Sequence, residues 1–257
     1  MLLECSNLSK SYGSVKALDN VSFTLEKGLS FILGPNGSGK TTFIKIVSNI
    51  ITPDSGEIMI LGKHYLDLKP SEIAFSFEKT VFPPSVRVID CLHAVGELRG
   101  NDNTDEIISL FDLESVKTKK FRELSQGYKR RFLVASAFVG FPDVVFLDEP
   151  FSNVDIVAKK KMMETFIELR KEINIVVVSH VFTNLSELDS LVVLYNGKVM
   201  KNLGKDKLRE IHGFKAVFED GTVVINDVEK VNRLIFSGKR LTSIEPLSLE
   251  RWLMELF

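Results

Sequence analysis

The chain has 257 residues, of which 44% are hydrophobic and 26% charged, and its 33 basic side chains nearly balance 34 acidic ones. This composition excludes global disorder and supports a sizeable core. The net charge of -1 creates no field that would draw the chain onto nucleic acid or anionic lipid. The sequence contains no apolar run long enough for a membrane span, no signal-peptide pattern and no disulfide framework. We therefore expect a cytoplasmic globular protein without a nucleic-acid partner.

The first part of the chain predicts strands, followed by a loop and a helix. Short strands are expected over residues 2–8, 15–18 and 21–25, with turn residues between them. The apolar strand Leu29–Leu33 ends in a glycine-rich loop, and helical periodicity follows over residues 40–49. This order of elements places the glycine-rich loop at a helix N-terminus.

The middle of the chain predicts two further strands and then a helical region. The strands lie at residues 57–61 and 73–77, and apolar residues recur at helical spacing between residues 86 and 139. Residues 144–147 and 175–178 are continuous apolar runs, typical of parallel strands that are buried on both faces. A helix at 155–170 lies between them, which predicts a β-α-β unit.

The pattern changes near residue 204, where we place a domain boundary. Residues 214–218 and 222–225 flank the turn Glu219-Asp220-Gly221 and predict a hairpin. Short amphipathic helices are expected at 228–236 and 249–256. The predicted organisation is a domain at 1–204 and a small appendage at 205–257.

A phosphate-binding motif lies between the strand and the helix that are predicted around residue 35. The pattern G-x-x-x-x-G-K-[ST] is matched by Gly34, Pro35, Asn36, Gly37, Ser38, Gly39, Lys40 and Thr41. Glycines let successive N–H groups turn towards phosphates, and the helix N-terminus adds positive potential. In such loops the lysine reaches the β- and γ-phosphates, and the final hydroxyl ligates magnesium. The alternative is an ordinary glycine-rich turn; the strand-loop-helix context favours a nucleotide-binding loop.

Two carboxylates follow the predicted strand at residues 144–147. In enzymes with this phosphate motif, the position of Asp148 holds the magnesium shell, and a following glutamate, here Glu149, polarises the attacking water. The alternative is a pair of solvated acids at a strand end. The upstream phosphate loop favours the catalytic interpretation.

Further segments follow the order found in ATP-binding cassette (ABC) ATPases. Leu124-Ser125-Gln126-Gly127-Tyr128 resembles the LSGGQ signature motif, and Ser152-Asn153-Val154-Asp155 resembles the D-loop. His180 resembles the switch histidine of the family, and Tyr12 resembles the aromatic residue that stacks on adenine. The resemblance covers residues 1–204. It implies an α/β fold with a P-loop NTPase core, an antiparallel β subdomain and a helical subdomain, to which the pattern of residues 205–257 adds a small α+β C-terminal appendage.

The resemblance also implies roles for individual residues. Catalysis would depend on Glu149, His180 and Lys40. The nucleotide would contact Tyr12, the phosphate loop with the adjoining Thr42 and, from the partner cassette, Ser125 and Gly127. Metal binding would involve Thr41, Asp148 and Glu78.

Several of these assignments have alternatives or depart from the family pattern; for His180 the alternative is a structural histidine. Glu78 stands where most members have a glutamine, and the alternative is a solvated side chain. In the signature, Gln126 and Tyr128 replace the first glycine and the final glutamine. Ser125 also suits a helix N-cap, which is compatible with phosphate contact. For Tyr12 the alternative to base stacking is plain packing.

The resemblance implies an ATP-binding and hydrolysing subunit of an ABC transporter. Its expected partners are a membrane permease on a separate chain and a second cassette, as a homodimer or heterodimer at the cytoplasmic face of the membrane. Residues 241–250 resemble the tail of exporter-type subunits, which predicts export. The alternative is a soluble ABC ATPase without a transport role, such as a component of an iron–sulfur assembly scaffold.

Overall fold

The computed structural model describes residues 1–80, 82–180, 187–211, 213–225 and 228–247. Its strands are β1 (Leu3–Tyr12), β2 (Val15–Leu25), β3 (Leu29–Leu33), β4 (Ser55–Ile60), β5 (Lys63–His64), β6 (Ile73–Ser76), β7 (Val144–Asp148), β8 (Asn174–Ser179), β9 (Ser190–Tyr195), β10 (Lys198–Gly204), β11 (Gly213–Phe218), β12 (Val223–Ile225) and β13 (Leu241–Leu247). Its α-helices are α1 (Lys40–Val47), α2 (Val88–Arg99), α3 (Thr104–Leu110), α4 (Gln126–Phe138), α5 (Ile156–Leu169), α6 (Lys205–Ile211) and α7 (Val228–Phe236).

The largest sheet has six strands in the order β10-β9-β3-β8-β7-β6. Neighbouring strands from β9 to β6 are parallel, and β10 pairs antiparallel with β9. Helix α5 connects the parallel neighbours β7 and β8, which confirms the predicted β-α-β unit. Alternate residues of the central strands belong to two different core clusters, so the sheet is buried on both faces. Its carboxyl edge is the edge where ligands bind in open α/β sheets.

An antiparallel sheet with the order β2-β1-β4-β5 covers the face of the central sheet that carries α1. The prediction of three short strands is wrong here, because the second and third of them form a single strand, β2, which pairs with β1 as one long hairpin. Asn20 allows β2 to continue: it has a left-handed φ of 54°, and its N–H donates to the Ser9 hydroxyl. Asparagine tolerates this conformation better than most residues, so the strand bends without ending.

The helical region lies between β6 and β7, as predicted. It contains α2, α3 and α4, together with short 3₁₀ turns. Phe82, Phe121 and Phe132 hold it together, with ring centroids 4.8 Å apart for Phe82–Phe132 and 5.5 Å apart for Phe121–Phe132. Within the described part of the chain, no helix has the length and apolarity required to cross a membrane.

The C-terminal region begins with α6, which packs against the central sheet. Leu208 is buried in the larger core cluster, and Lys205 pairs with Asp189 at the start of β9. Beyond α6, β12-β11-β13 form a separate sheet that shares a small core with α7. The predicted hairpin and the helix α7 are confirmed. The helix predicted at 249–256 lies outside the described residues, and the boundary at 204/205 stays a prediction.

Candidate nucleotide site

The phosphate loop runs from the end of β3 to the start of α1. An ideal Cβ on Gly34 would lie 2.1 Å from the Leu194 carbonyl oxygen, and one on Gly39 would lie 2.5 Å from that of Ala17. No other residue type fits these two positions, because the neighbouring atoms are backbone. Gly37 has a φ of 81° and no atom within 4 Å of its ideal Cβ, so it turns on the open side of the loop.

Lys40 is the first residue of α1, and its ammonium group lies inside the loop. The side chain is 6% exposed, and Nζ donates to the carbonyl oxygens of Gly34 and Pro35 at 2.7 and 2.9 Å. Burial lowers the pKa of Lys40, while the nearby Glu149 and Asp148 carboxylates oppose that shift. The cation therefore lies between the loop oxygens and the two acids that follow β7.

Asp148 ends β7 and is 5% exposed. Burial, with the neighbouring charges of Glu149 and Glu78, raises the pKa of Asp148 to about 6, although Arg130 and Lys40 act in the opposite direction. The carboxylates of Asp148, Glu149 and Glu78 thus lie close together, and their combined negative charge favours the presence of a cation beside them.

Glu149 is held by two side chains from the end of the neighbouring strand β8. The Ser179 hydroxyl donates to Oε2 at 2.9 Å, and His180 Nδ1 lies 2.7 Å from Oε1. The Glu149 N–H donates to the Val178 carbonyl oxygen, and the residue has a left-handed φ of 50°. The carboxylate therefore has a fixed orientation at the carboxyl edge of the sheet.

A cleft of about 580 Å³ brings most of the predicted residues together. Its lining comprises Tyr12, Val15, Lys16, Ala17, Asn36, Gly37, Gly39, Lys40, Thr41, Thr42, Glu78, Glu149 and His180. Tyr12 is 50% exposed at one end, as a ring available for stacking would be. The lining does not include Gly34, Pro35, Ser38 or Asp148. The carbonyl oxygens of Gly34 and Pro35 accept hydrogen bonds from the Lys40 ammonium.

Ser125 and Gly127 lie apart from this cleft. Ser125 caps α4 by accepting a hydrogen bond from the Tyr128 N–H at 3.3 Å, which confirms the predicted N-cap. Gly127 lies beside the Asn153 carbonyl oxygen, so the signature and D-loop segments are neighbours. Neither residue belongs to the lining of the cleft. The N-terminus of α4 is therefore exposed and lies outside the chain's own cleft.

A family model described as ABC transporter matches residues 18–152, just over half of the chain. The chain belongs to the ABC transporter family. The zinc import ATP-binding protein ZnuC of Rickettsia conorii is 33% identical over 202 residues, which cover 77% of this chain and 84% of that protein. The probable multidrug ABC transporter ATP-binding protein YbhF of Escherichia coli is 29% identical over 224 residues, 81% of this chain and 38% of that protein. A solved ATP-binding subunit of an ABC transporter superposes with a TM-score of 0.71 at 26% identity, covering 81% of this chain and 92% of that one.

These similarities confirm the predicted family, fold class and enzyme class. The chain is an ABC cassette that binds ATP and acts as an ATPase coupled to transport. The assignments of individual site residues stay predictions, which the geometry above supports by bringing Lys40, Glu149 and His180 to one cleft.

Sequence reasoning missed the role of Arg130 in this ABC cassette. Arg130 lies on α4 and is 5% exposed; its guanidinium donates to the carbonyl oxygen of Phe77 at 2.8 Å and to that of Asp148. Burial lowers the pKa of Arg130 to about 10, and the Asp148, Glu78 and Glu149 carboxylates oppose the shift. Arg130 therefore links α4, the helix that begins within the signature motif, to the ends of β6 and β7 by hydrogen bonds.

The Ser179 hydroxyl was also missed as a partner of Glu149. Neither role has a sequence signal, because Arg130 and Ser179 meet partners at least 18 residues away in the chain. Only the strand pairing brings those partners into reach.

The oxygen groups near Lys40 suit a hard cation such as Mg²⁺. The buried Asp148 carboxylate, the Glu78 carboxylate and the Thr41 hydroxyl are ligands of the type that Mg²⁺ takes. In the described ranges, no group of three or more His, Cys, Asp or Glu side chains is arranged to hold a metal by itself. Mg²⁺ usually completes its shell with water and substrate phosphates, so this sparse donor set fits it.

Proposed function

We propose that this cassette hydrolyses ATP in the cleft around Lys40 and thereby drives transport by a permease on a separate chain. The observation that carries the proposal is the convergence of Lys40, Glu149 and His180 on one cleft at the carboxyl edge of the sheet. Lys40 begins α1, Glu149 directly follows β7 and His180 directly follows β8. Phosphoryl transfer needs this geometry: a cation, an oriented carboxylate and a further polar group around one phosphate.

Binding would use both ends of the cleft. The adenine stacks on the exposed ring of Tyr12, and the phosphates take the loop N–H groups and the Lys40 ammonium. A triphosphate beside Lys40 adds negative charge and so favours the protonated form of that buried side chain. Thr41 and Thr42 follow at the helix N-terminus, where hydroxyls face the phosphates.

Hydrolysis would begin with a water molecule held by Glu149. The carboxylate accepts a proton as the water oxygen bonds to the γ-phosphorus, and the bond to the β-phosphate oxygen breaks to give ADP and phosphate. Ser179 and His180 keep the carboxylate aimed, and His180 is exposed enough to contact the γ-phosphate as well. Thr41, Asp148 and Glu78 would hold Mg²⁺, which supplies neutralisation of the phosphate charge.

A second cassette would complete each site. Ser125 and Gly127 lie outside the chain's own cleft, at the N-terminus of α4. A helix N-terminus favours a phosphate, so we propose that these residues meet the nucleotide held by a partner cassette. The direction of transport stays a prediction: export follows from residues 241–250, whereas the relatives include a zinc importer and a probable multidrug transporter.

The central test is Lys40→Ala, assayed by ATP hydrolysis and by nucleotide binding. Loss of the principal side-chain cation should nearly abolish turnover and weaken binding. Lys45→Ala is the matched control, because Lys45 is exposed on the same helix and lies outside the cleft lining. Wild-type turnover in Lys40→Ala would overturn the site assignment.

The transport role has its own test. Purification of the chain from its native membranes should recover a polytopic membrane protein in a stoichiometric complex whose ATPase activity depends on both chains. A complex with other chains but no membrane protein would favour the assembly-scaffold alternative.

A further inference from the structure

The turn between β9 and β10 lies directly against the phosphate loop. Asn196 and Gly197 have left-handed φ values of 48° and 72°, the combination that an Asn-Gly hairpin turn adopts. Gly197 is buried, although it occupies a hairpin tip, where residues are normally exposed. Its burial shows that other chain segments cover the turn.

Those segments are two walls of the nucleotide cleft. The Gly197 N–H donates to the Ser38 carbonyl oxygen at 3.1 Å, and the Gly197 carbonyl oxygen accepts from the Asp19 N–H at 2.8 Å. An ideal Cβ on Gly197 would lie 2.9 Å from the Ala17 carbonyl oxygen and 3.1 Å from that of Lys16. One glycine thus connects the phosphate loop to β2, whose residues from Val15 to Ala17 line the cleft.

The same hairpin supports the phosphate loop at a second point. The Leu194 carbonyl oxygen, in β9, lies 2.1 Å from the ideal Cβ position of Gly34. From β2, the Ala17 carbonyl oxygen lies 2.5 Å from the ideal Cβ position of Gly39. All of these contacts join backbone to backbone, so no side chain can rotate to absorb a displacement. A shift of the turn is therefore transmitted to the loop.

Lys40 explains why this support matters for binding. Its ammonium holds the loop from inside through the Gly34 and Pro35 carbonyl oxygens. A third, longer hydrogen bond runs from Nζ to the Ser38 hydroxyl at 3.5 Å, and a phosphate that approaches the ammonium competes with this set of acceptors inside the loop. The bond from Gly197 to Ser38 approaches the loop from outside, so it does not compete with a phosphate.

We propose that Gly197 is a positioning residue for the phosphate loop. It holds Ser38, and with it the loop N–H groups, in the orientation that receives the nucleotide phosphates. The inference rests on the proposed ATP site but concerns a residue outside the cleft lining.

The test compares Gly197→Ala with Gly62→Ala. Gly62 is also the second residue of a hairpin turn with left-handed φ values, 52° at Leu61 and 78° at Gly62, but no atom lies within 4 Å of its ideal Cβ. Both variants place a side chain at a left-handed position of a turn. Only in Gly197→Ala does the new Cβ contact the carbonyl oxygens of Lys16 and Ala17 in the cleft wall. Loss of one backbone hydrogen bond should weaken binding of a fluorescent ATP analogue about fivefold to tenfold in Gly197→Ala and not in Gly62→Ala. The KM for ATP should rise by the same factor while kcat stays within about twofold.

Two further measurements keep the inference testable if Gly197→Ala does not fold. Asparagine tolerates the left-handed region, so Gly197→Asn retains the Cβ contact with less strain and should give the same rise in KM. In the wild type, hydrogen exchange at the Gly197 amide should slow when a non-hydrolysable ATP analogue binds, and that at Gly62 should not change.

The outcomes separate this inference from the proposed function. Equal affinities in Gly197→Ala and Gly62→Ala, or unchanged exchange at the Gly197 amide, would overturn the positioning role. Failure of the wild type itself to bind ATP would instead overturn the proposed function.

Discussion

The imidazole Nδ1 of His180 lies 2.7 Å from the Glu149 carboxylate, across the gap between the ends of β8 and β7. The Ser179 hydroxyl donates to the other carboxylate oxygen, so two consecutive residues at the end of β8 hold the side chain that follows β7. A carboxylate with this support accepts a proton from a water molecule in one defined direction. Replacement of Glu149 by glutamine removes this proton acceptor without changing the size of the side chain.

Glu149→Gln should slow ATP hydrolysis by about 10²–10⁴-fold, because an amide does not accept the proton from the attacking water. Nucleotide binding should persist, since the proposed phosphate contacts come from Lys40 and the loop. ATP trapped between two cassettes should then produce dimers that light scattering detects with ATP and not with ADP. Glu106→Gln, on an exposed part of α3, is the control. Full hydrolysis in Glu149→Gln would make Glu78 the next candidate for the catalytic carboxylate.

Arg130→Met should lower the free energy of unfolding by about 2–4 kcal/mol, because two carbonyl oxygens lose a buried donor. Chemical denaturation measures this change. Arg87→Met removes an exposed pair with Asp90 and should leave the stability nearly unchanged. Arg130→Lys should restore only part of the stability, because an ammonium lacks the fork that reaches both oxygens. Equal stabilities of the two methionine variants would contradict the bridging role.

Asp148 makes the stability depend on pH. Its pKa is raised from 3.8 to about 6 in the folded chain, so folding favours the protonated carboxyl. This group therefore opposes folding progressively as the pH rises from about 4 to 6, and by about 2–3 kcal/mol above that range. Asp148→Asn should be more stable than the wild type at pH 7.5, with the difference shrinking towards pH 4. Denaturation curves across this range test it, with the exposed Asp105→Asn as control. A difference that is independent of pH would contradict the prediction.

Ser125→Arg should stop turnover while leaving ATP binding by the monomer almost intact, because Ser125 is proposed to act on the nucleotide of the partner. The variant also loses the N-cap of α4, which costs about 1 kcal/mol. Ser125→Ala loses the same cap without adding bulk and therefore separates the two effects. If Ser125→Arg impairs binding by the isolated monomer, the residue acts within its own chain.

Truncation after Ile211 should leave a folded core that binds ATP, because every residue of the cleft precedes that point. Truncation after Gly204 should be less stable by about 2–5 kcal/mol, since it removes Leu208 from the larger core cluster. Denaturation and ATP titration of the two proteins measure the difference. Equal stability would place the domain boundary at 204/205, where the composition changes.

The phosphate loop and the β-α-β unit were predictable because their signals are local in the chain. The G-x-x-x-x-G-K-[ST] pattern, the apolar runs and the Ser125 cap each depend on neighbouring residues. The support beneath the loop was not predicted, although Asn196-Gly197 is itself a strong hairpin signal. What that turn packs against depends on the pairing of β9 with β3, which no local pattern encodes.

Two C-terminal elements were missed for different physical reasons. Helix α6 has only seven residues, too few for a clear helical period. Strand β13 contains Pro246, and proline argues against a strand unless the strand lies at a sheet edge. In the structure β13 is an edge strand, so the proline is tolerated there.

The left-handed backbone of Glu149 has a consequence for any selection that rewards heat resistance. A non-glycine residue with a φ of 50° costs the fold about 1–2 kcal/mol, and glycine would remove that cost. Glycine would also remove the repulsion between the Glu149 and Asp148 carboxylates, against the loss of the hydrogen bonds from Ser179 and His180. A library screened only for survival at high temperature should enrich Glu149→Gly where the two gains exceed that loss, and it would do so by discarding the proposed catalytic carboxylate. Substitution at this one position would then raise thermal stability while lowering the rate of ATP hydrolysis. A screen for more stable variants therefore has to measure hydrolysis in the same round.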